Sequence, residues 1–160
     1  MRKAVFLDRD GVLNQERGYT FAPSDFHLLP DVGIQLKKLQ DLGFLLIVIS
    51  NQGGIGKGIY SKAEVEVLHQ ILKDELKQNG VFFSEIYYCP HYPSNSNCIC
   101  RKPDSLFIEK SLARFSIDPE KSFFIGDKER DVAAAQKAGV RGVLIESNTS
   151  LSQLWKLGLI

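Results

Sequence analysis

Cysteine is scarce in this chain of 160 residues: there are three, all between Cys89 and Cys100. An odd number crowded into one segment cannot make the disulfide framework of a small secreted domain. An excess of charge is missing too. Twenty basic and nineteen acidic residues leave a net charge of +1, so no overall field gathers polyanions, and nucleic-acid or membrane-surface partners have no compositional support. Long hydrophobic runs are also lacking. The longest, Phe44-Leu-Leu-Ile-Val-Ile49, is too short to span a bilayer. The opening Met1-Arg-Lys-Ala-Val has neither the apolar segment nor the cleavage site of a signal peptide. Together these absences lead us to expect a cytoplasmic protein with no membrane or nucleic-acid partner; a monomer is expected as well.

Apolar residues make up 44% of the sequence, enough for one core at this length, so residues 1–160 are expected to form a single domain. Short β-branched apolar runs alternate with amphipathic segments, the pattern of a doubly wound α/β fold: a mainly parallel, five-stranded sheet with helices on both faces. Strands are expected at Lys3–Leu7, Phe44–Ser50, Glu85–Cys89, Ser122–Gly126 and Gly142–Ile145. Helices are expected at Val32–Asp41, Lys62–Asn79, Ser105–Phe115, Asp131–Ala138 and Leu151–Leu157. Ser61-Lys-Ala-Glu64 reads as a capping box, and Gly43, Gly80 and Gly139 follow helical patterns where a left-handed residue is wanted. Two connections are long for such a fold, Asn14–Pro30 and Pro90–Pro103, which makes them candidate functional loops. No insertion is large enough for a separate cap domain, so these two loops must shape any pocket.

Ligands bind beyond the carboxyl ends of parallel strands, so the informative residues are those that end them. Here they are Asp8 and Asp10, Ser50 and Asn51, and Asp127. Asp8 and Asp10 bring like charges together, at a cost that a cation or proton must offset. Mg²⁺ is the expected cation. A hard divalent ion takes one or two carboxylates, waters and a substrate phosphate, and it shields an anionic phosphoryl group from an anionic nucleophile. Asp127 would be the second carboxylate ligand. A carboxylate nucleophile forms an acyl phosphate that water hydrolyses, while a second carboxyl protonates the leaving alkoxide and later deprotonates the water. Asp8 suits the first role and Asp10 the second. Taken alone, Asp-x-Asp at a strand end is as easily a solvated turn.

The cysteines form their own constellation. Cys89-Pro-His91 followed by Cys98-Ile-Cys100 offers three thiolates and one imidazole, the ligand set of a closed tetrahedral Zn²⁺ site. A complete set leaves no open position, so zinc would organise the loop and not activate water. Arg101 and Lys102 directly follow Cys100, so fixing the loop would fix two cations over a phosphate site.

Asp8-Arg-Asp10-Gly11-Val-Leu, Ser50 after an apolar strand, Lys102 in Arg-Lys-Pro, and Gly126-Asp127-Lys-Glu-Arg-Asp131 occur in that order over nearly the whole chain. Together they resemble the haloacid dehalogenase (HAD) superfamily of phosphatases. The resemblance implies that Asp8 attacks phosphorus and that Asp8, the backbone carbonyl of Asp10, and Asp127 hold Mg²⁺. It also implies that Ser50 and Lys102 bind phosphoryl oxygens and that Asp131 supports the metal site. The cysteine loop followed by Arg-Lys-Pro is similar to the branch containing D-glycero-D-manno-heptose 1,7-bisphosphate 7-phosphatases and histidinol-phosphate phosphatases. Asn14-Gln-Glu-Arg-Gly-Tyr19, Ser50–Gly58 and Gly-Asp127-Lys128 favour the heptose enzyme. In that family Glu16, Arg17, Gly18, Tyr19, Ser50, Asn51, Gln52, Gly53, Arg101, Lys102 and Lys128 would contact a sugar bisphosphate, whose two phosphates suit dispersed cations. Pro103-Asp-Ser-Leu-Phe107 departs from the Pro-x-Pro-Gly-Met often found there, and the cysteine loop is short. Histidinol phosphate, an amino-alcohol phosphate, is therefore the alternative substrate.

Other motifs are weaker. Asn51-Gln-Gly-Gly-Ile-Gly-Lys-Gly58 is glycine-rich but has neither Walker nor dinucleotide spacing. It reads as a loop whose flexibility serves the substrate. A phospho-accepting receiver would normally end its third strand in the acceptor Asp, where this chain has Cys89. His27 and His69 lack partners at metal-ligand spacing and read as surface or packing residues. Leu151, Leu154, Trp155 and Leu157 make an apolar stripe that suits a terminal helix docked on the sheet.

Overall fold

A computed structural model of the chain describes residues 1–156 and 158. Five strands, β1 (Lys3–Leu7), β2 (Phe44–Asn51), β3 (Glu85–Cys89), β4 (Phe123–Gly126) and β5 (Arg141–Leu144), form one sheet in the order β3-β2-β1-β4-β5. Every pairing is parallel. The central strand shows why: Ala4 to Leu7 are fully buried, so β1 must be covered on both sides. Its alternation then divides the core. Val5 and Leu7 join Val48, Leu36, Leu39, Leu68 and Leu72 on one face, while Ala4 and Phe6 join Ile47, Ile49, Ile108, Ala134 and Ala135 on the other. Each fully buried leucine contributes about 1.5–3 kcal/mol relative to an exposed one.

The first face is covered by α1 (Val32–Asp41), α2 (Lys62–Lys77) and α5 (Gln153–Lys156), the second by α3 (Leu106–Phe115) and α4 (Glu129–Lys137). The capping box forms, with Ser61 Oγ accepting from Glu64 N at 3.2 Å and Glu64 Oε2 accepting from Ser61 N at 2.7 Å. Gly43, Gly80 and Gly139 all have positive φ.

The departures from expectation have local causes. Ser105 is the residue before α3, not part of it, and α2 stops at Lys77 because Gln78 to Val81 turn back onto its last carbonyls. The fourth helix starts at Glu129, two residues before the expected Asp131, because the Asp131 carboxylate accepts the Lys128 N–H at 3.1 Å and so caps the helix from inside its first turn. β5 lies one residue earlier than expected. Within the terminal stripe, Leu151 and Leu154 are buried and Trp155 Nε1 donates to Gln35 Oε1 of α1 at 2.8 Å, while Leu157 lies outside the described residues. Among the described residues, no helix is long and apolar enough to cross a membrane.

Candidate active site

The strand order reverses beside β1: its chain leaves toward β2 on one side, and β4 pairs on the other. Loops therefore part there, and the residues that end β1 and β4 line the gap. Oxygens of Asp8, Asp127 and Asp131 lie within 4.8 Å of one another. Beneath them lies Lys102, 1% exposed, with Nζ 3.0 Å from Asp8 Oδ1 and 2.8 Å from Asp131 Oδ1 and donating to Ile49 O at 2.7 Å. Asp127 has Lys128 Nζ 3.0 Å from Oδ2, but neither of its buried oxygens has a partner in hydrogen-bond geometry. Burial is the main cause that pushes the Asp8 carboxyl up to about 7; Lys102 opposes it, and Asp131 and Asp10 reinforce it. Gly11 is required by both backbone and space. Its φ is +81°, and a Cβ there would lie 2.5 Å from Asp127 Oδ2.

Asp10 sits in a different environment from Asp8. Its carboxylate turns away from the acidic cluster and accepts from Arg9 Nη2 at 3.0 Å, Asn14 Nδ2 at 2.9 Å and Gln52 Nε2 at 2.9 Å. Burial alone would raise its pKa, but the Arg9 guanidinium and the hydrogen bonds from Asn14, Arg9 and Gln52 hold it below the usual carboxylate range. Arg9 is itself fully buried and also donates to Thr20 O at 3.3 Å. Its Nη1 faces His69 Nε2 at 3.3 Å. Because guanidinium can only donate, His69 must accept at Nε2 and carry its proton on Nδ1. Burial, with Arg9 beside it, pushes the imidazole down to about 3. His69 is buried, as a packing residue would be, and it also supports the guanidinium that holds Asp10. His27 is exposed, as expected.

Lys102 is held by its backbone. Its N–H donates to Asn51 Oδ1 and its carbonyl accepts from Asn51 Nδ2, both at 3.0 Å. The Asn51 side chain is thus occupied by scaffolding. Ser50 is buried and its Oγ accepts from Gln52 Nε2 at 2.6 Å, while Gln52 Oε1 accepts from Tyr60 Oη at 2.8 Å. Gly54 and Gly56, which follow, sit where there is no room for a side chain, so close packing and not flexibility accounts for them. A Cβ on Gly54 would meet Tyr60 Cε1 at 2.1 Å, and one on Gly56 would meet the Tyr92 backbone N at 2.8 Å. Ile55, Lys57, Gly58 and Ile59 donate back to Gln52, Gly53, Ile55 and Gly54, so the segment is an ordered turn.

The cysteine loop packs on that turn. Cys89 Sγ lies 3.6 Å from His91 Nδ1, 3.6 Å from Cys98 Sγ and 3.2 Å from Cys100 Sγ, and His91 Nδ1 lies 3.3 Å from Cys100 Sγ. Arg101, next in sequence, donates from Nη1 to His91 O at 3.2 Å, and Asn95 Nδ2 donates to Gly56 O at 2.7 Å. β3 ends in Cys89, which leaves no acceptor carboxylate where a receiver domain needs one.

A family model for HAD-hydrolase-like proteins matches residues 99–154. The heptose phosphatase of Haemophilus ducreyi, D-glycero-β-D-manno-heptose-1,7-bisphosphate 7-phosphatase, is 40% identical over 158 residues, covering 94% of this chain and 87% of that protein. The chain belongs to the HAD-like phosphatase family. Another relative of this HAD-like phosphatase is the histidine biosynthesis bifunctional protein of Campylobacter jejuni, 39% identical over 89% of the chain but only 41% of that protein. In three dimensions it resembles the D,D-heptose 1,7-bisphosphate phosphatase of B. bronchiseptica, crystallised with magnesium and phosphate, with a TM-score of 0.85, 28% identity and coverage of 98% and 87% of the two chains.

Over the acidic cluster, this HAD-like phosphatase has a cleft of about 210 Å³. Of the residues expected to contact substrate, Glu16, Gly18 and Tyr19 line it from the loop after β1. Asn51, Gln52 and Gly53 line it from the turn after β2, and Arg101 and Lys128 from the two remaining sides. Ser50 and Lys102 lie buried beneath, and Arg17 is exposed and does not line the cleft. Thr20, Tyr60, Tyr92 and Arg130 line it without having been expected. Nothing in the sequence marks Tyr60 or Tyr92: Tyr60 packs against Gly54, and Tyr92 comes close because Gly56 leaves room for the cysteine loop.

Proposed function

We propose that the chain is a Mg²⁺-dependent phosphatase that removes the 7-phosphate of D-glycero-D-manno-heptose 1,7-bisphosphate through an aspartyl-phosphate on Asp8. The observation that carries the mechanism is the buried Asp127 carboxylate, clustered with Asp8 and Asp131, with neither oxygen hydrogen-bonded and only the part-exposed Lys128 ammonium beside Oδ2 to offset its charge. Three clustered carboxylates of this kind are costly unless a further cation offsets them. Asp8, Asp127 and the backbone carbonyl of Asp10 would hold Mg²⁺, leaving Asp131 to its contact with Lys102. Bound there, the ion would neutralise phosphoryl charge against the anionic nucleophile.

The protein groups then act in order. Asp8 Oδ1 is occupied by Arg9 N at 2.8 Å and by Lys102, so Oδ2 is the oxygen left for chemistry. As Asp8 forms its bond to phosphorus, the bond to the leaving alkoxide breaks and Asp10 gives that alkoxide its proton. A water then attacks phosphorus, Asp10 takes the water's proton, and the Asp8–phosphorus bond breaks to release phosphate. Asp10 must enter this cycle protonated although Arg9 favours its anion. The arriving phosphate supplies negative charge that raises its pKa again. Lys102 and Ser50 would hold phosphoryl oxygens, while Glu16, Gly18, Tyr19, Gln52, Gly53, Arg101 and Lys128 would meet the sugar and the second phosphate.

The cysteine loop fits Zn²⁺. Tetrahedral bonds of ~2.3 Å to sulfur and ~2.05 Å to nitrogen require edges of about 3.8 and 3.6 Å, close to the distances between these four side chains. Zinc would join the end of β3 to the residues before Arg101 and Lys102.

The substrate reading is supported by relatives that align over most of their own length and carry the heptose name. A second reading, histidinol phosphate, has the Campylobacter jejuni protein in its favour. Comparing kcat/KM for the two substrates on one preparation decides between them, with at least tenfold preference for the heptose bisphosphate expected, ~1.4 kcal/mol of transition-state binding. Preference for histidinol phosphate would overturn the substrate assignment. Near-normal turnover by Asp8→Asn would overturn the mechanism.

A further inference from the structure

The arm that carries Glu16 is tied across the fold by one side chain from the segment after β5. Asn148 Oδ1 accepts the Glu16 backbone N–H at 2.7 Å, and Asn148 Nδ2 donates to the Glu16 carbonyl at 3.1 Å. One amide thus satisfies the donor and acceptor of one residue, as a neighbouring strand would. The preceding residue adds a hold on the side chain: Ser147 Oγ donates to Glu16 Oε2 at 3.2 Å, beside Lys128 Nζ at 3.0 Å. Asn148 is placed for this by its own backbone. Its φ is +62°, a left-handed conformation that asparagine tolerates better than most residues, and its N–H donates to Gly11 O at 2.9 Å. Neither Ser147 nor Asn148 lines the cleft, whereas Glu16 does.

We propose that Asn148 is a positioning residue for substrate specificity: it fixes the Glu16 arm in its binding geometry before the sugar arrives. The inference rests on the reading that Glu16 contacts the part of the substrate beyond the transferred phosphate. Without the amide, the backbone of the arm loses this hold and part of its ordering falls to the substrate, an entropy that is subtracted from binding. The site of the transferred phosphate keeps its own supports, since Asp8 and Lys102 are held by contacts that Asn148 does not share.

Asn148→Gly isolates this effect, because glycine keeps the positive φ at no steric cost and removes only the amide. For the heptose bisphosphate we expect KM to rise about five- to tenfold with kcat within about twofold, which is the loss of one or two partly solvated hydrogen bonds. For a small aryl phosphate, which has nothing to offer Glu16, kcat/KM should be unchanged. Asn148→Asp, similar in shape but presenting an oxygen to the Glu16 carbonyl, should raise KM at least as much. Glu16→Ala should also raise KM, and the double variant should be no worse than Glu16→Ala alone.

If Glu16→Ala raises KM and Asn148→Gly does not, the positioning role is overturned while the substrate reading stands. A Glu16→Ala variant with unchanged KM overturns both the positioning role and the reading that Glu16 contacts the substrate. Equal loss on the aryl phosphate, or additive effects in the double variant, would reduce Asn148 to a general structural part.

Discussion

Acid should weaken this fold through His69, and replacing that residue by glutamine should remove the weakness. The imidazole is 5% exposed, accepts from Arg9 and is held down to about 3, whereas in the unfolded chain it titrates near ~6.5. Its folded pKa is depressed, so between these two values the unfolded chain binds a proton that the folded chain refuses, and stability falls as pH falls. Above about 6.5 the term is absent. At pH 5 it amounts to about 2 kcal/mol, from a slope of ~1.4 kcal/mol per pH unit below the unfolded value. Glutamine cannot titrate and can offer Oε1 to Arg9 Nη1 in place of the ring nitrogen. Urea unfolding of the two proteins at pH 7.5 and pH 5, at fixed metal concentration, isolates the term, because carboxylates such as Asp8 contribute to both. With an m-value of roughly 2 kcal/mol/M, the parent's midpoint should drop about 1 M further than that of His69→Gln. Parallel losses in the two proteins would refute a buried neutral His69.

Lys102→Met should remove activity and destabilise the protein by ~3–5 kcal/mol, since Asp8 and Asp131 lose their shared buried cation. The loss should be larger at pH 8 than at pH 6, where Asp8 can take up a proton, and equal losses measured by urea unfolding would contradict the ion-pair geometry. Metal analysis should find about one Zn²⁺ per chain. Stripping it with a chelator should lower the melting temperature and raise KM through the loosened Arg101, whereas metal-free protein of unchanged melting temperature would refute a structural zinc. Gly56→Ala pushes a methyl group to 2.8 Å from the Tyr92 backbone and should cost ~1–3 kcal/mol by overpacking. A flexible turn would absorb it without change in thermal unfolding.

What the sequence alone determined are the features written in short-range spacing. Apolar alternation placed five strands and five helices within a residue or two at most ends, because period 2 and period 3.6 are local properties. Asp8 and Asp10 are recognisable because they close one strand, and the metal-type ligands Cys89, His91, Cys98 and Cys100 because they fall within one loop. The motif order carried the family. What only the tertiary structure decided depends on residues far apart in the chain meeting through packing. Asp8 and Asp10 look alike in sequence, yet one faces Lys102 and Asp131 while the other is gripped by Arg9, Asn14 and Gln52, so their charges are set in opposite directions. His69 looked like one more buried helical residue until α2 brought it against Arg9, 60 positions away. The glycine-rich turn is closely packed because Tyr60 and Tyr92 occupy the space that Gly54 and Gly56 leave. Glu16 and Asn148, 132 positions apart, meet because β5 lies beside β4 at the sheet's edge, a neighbourhood that no periodicity encodes.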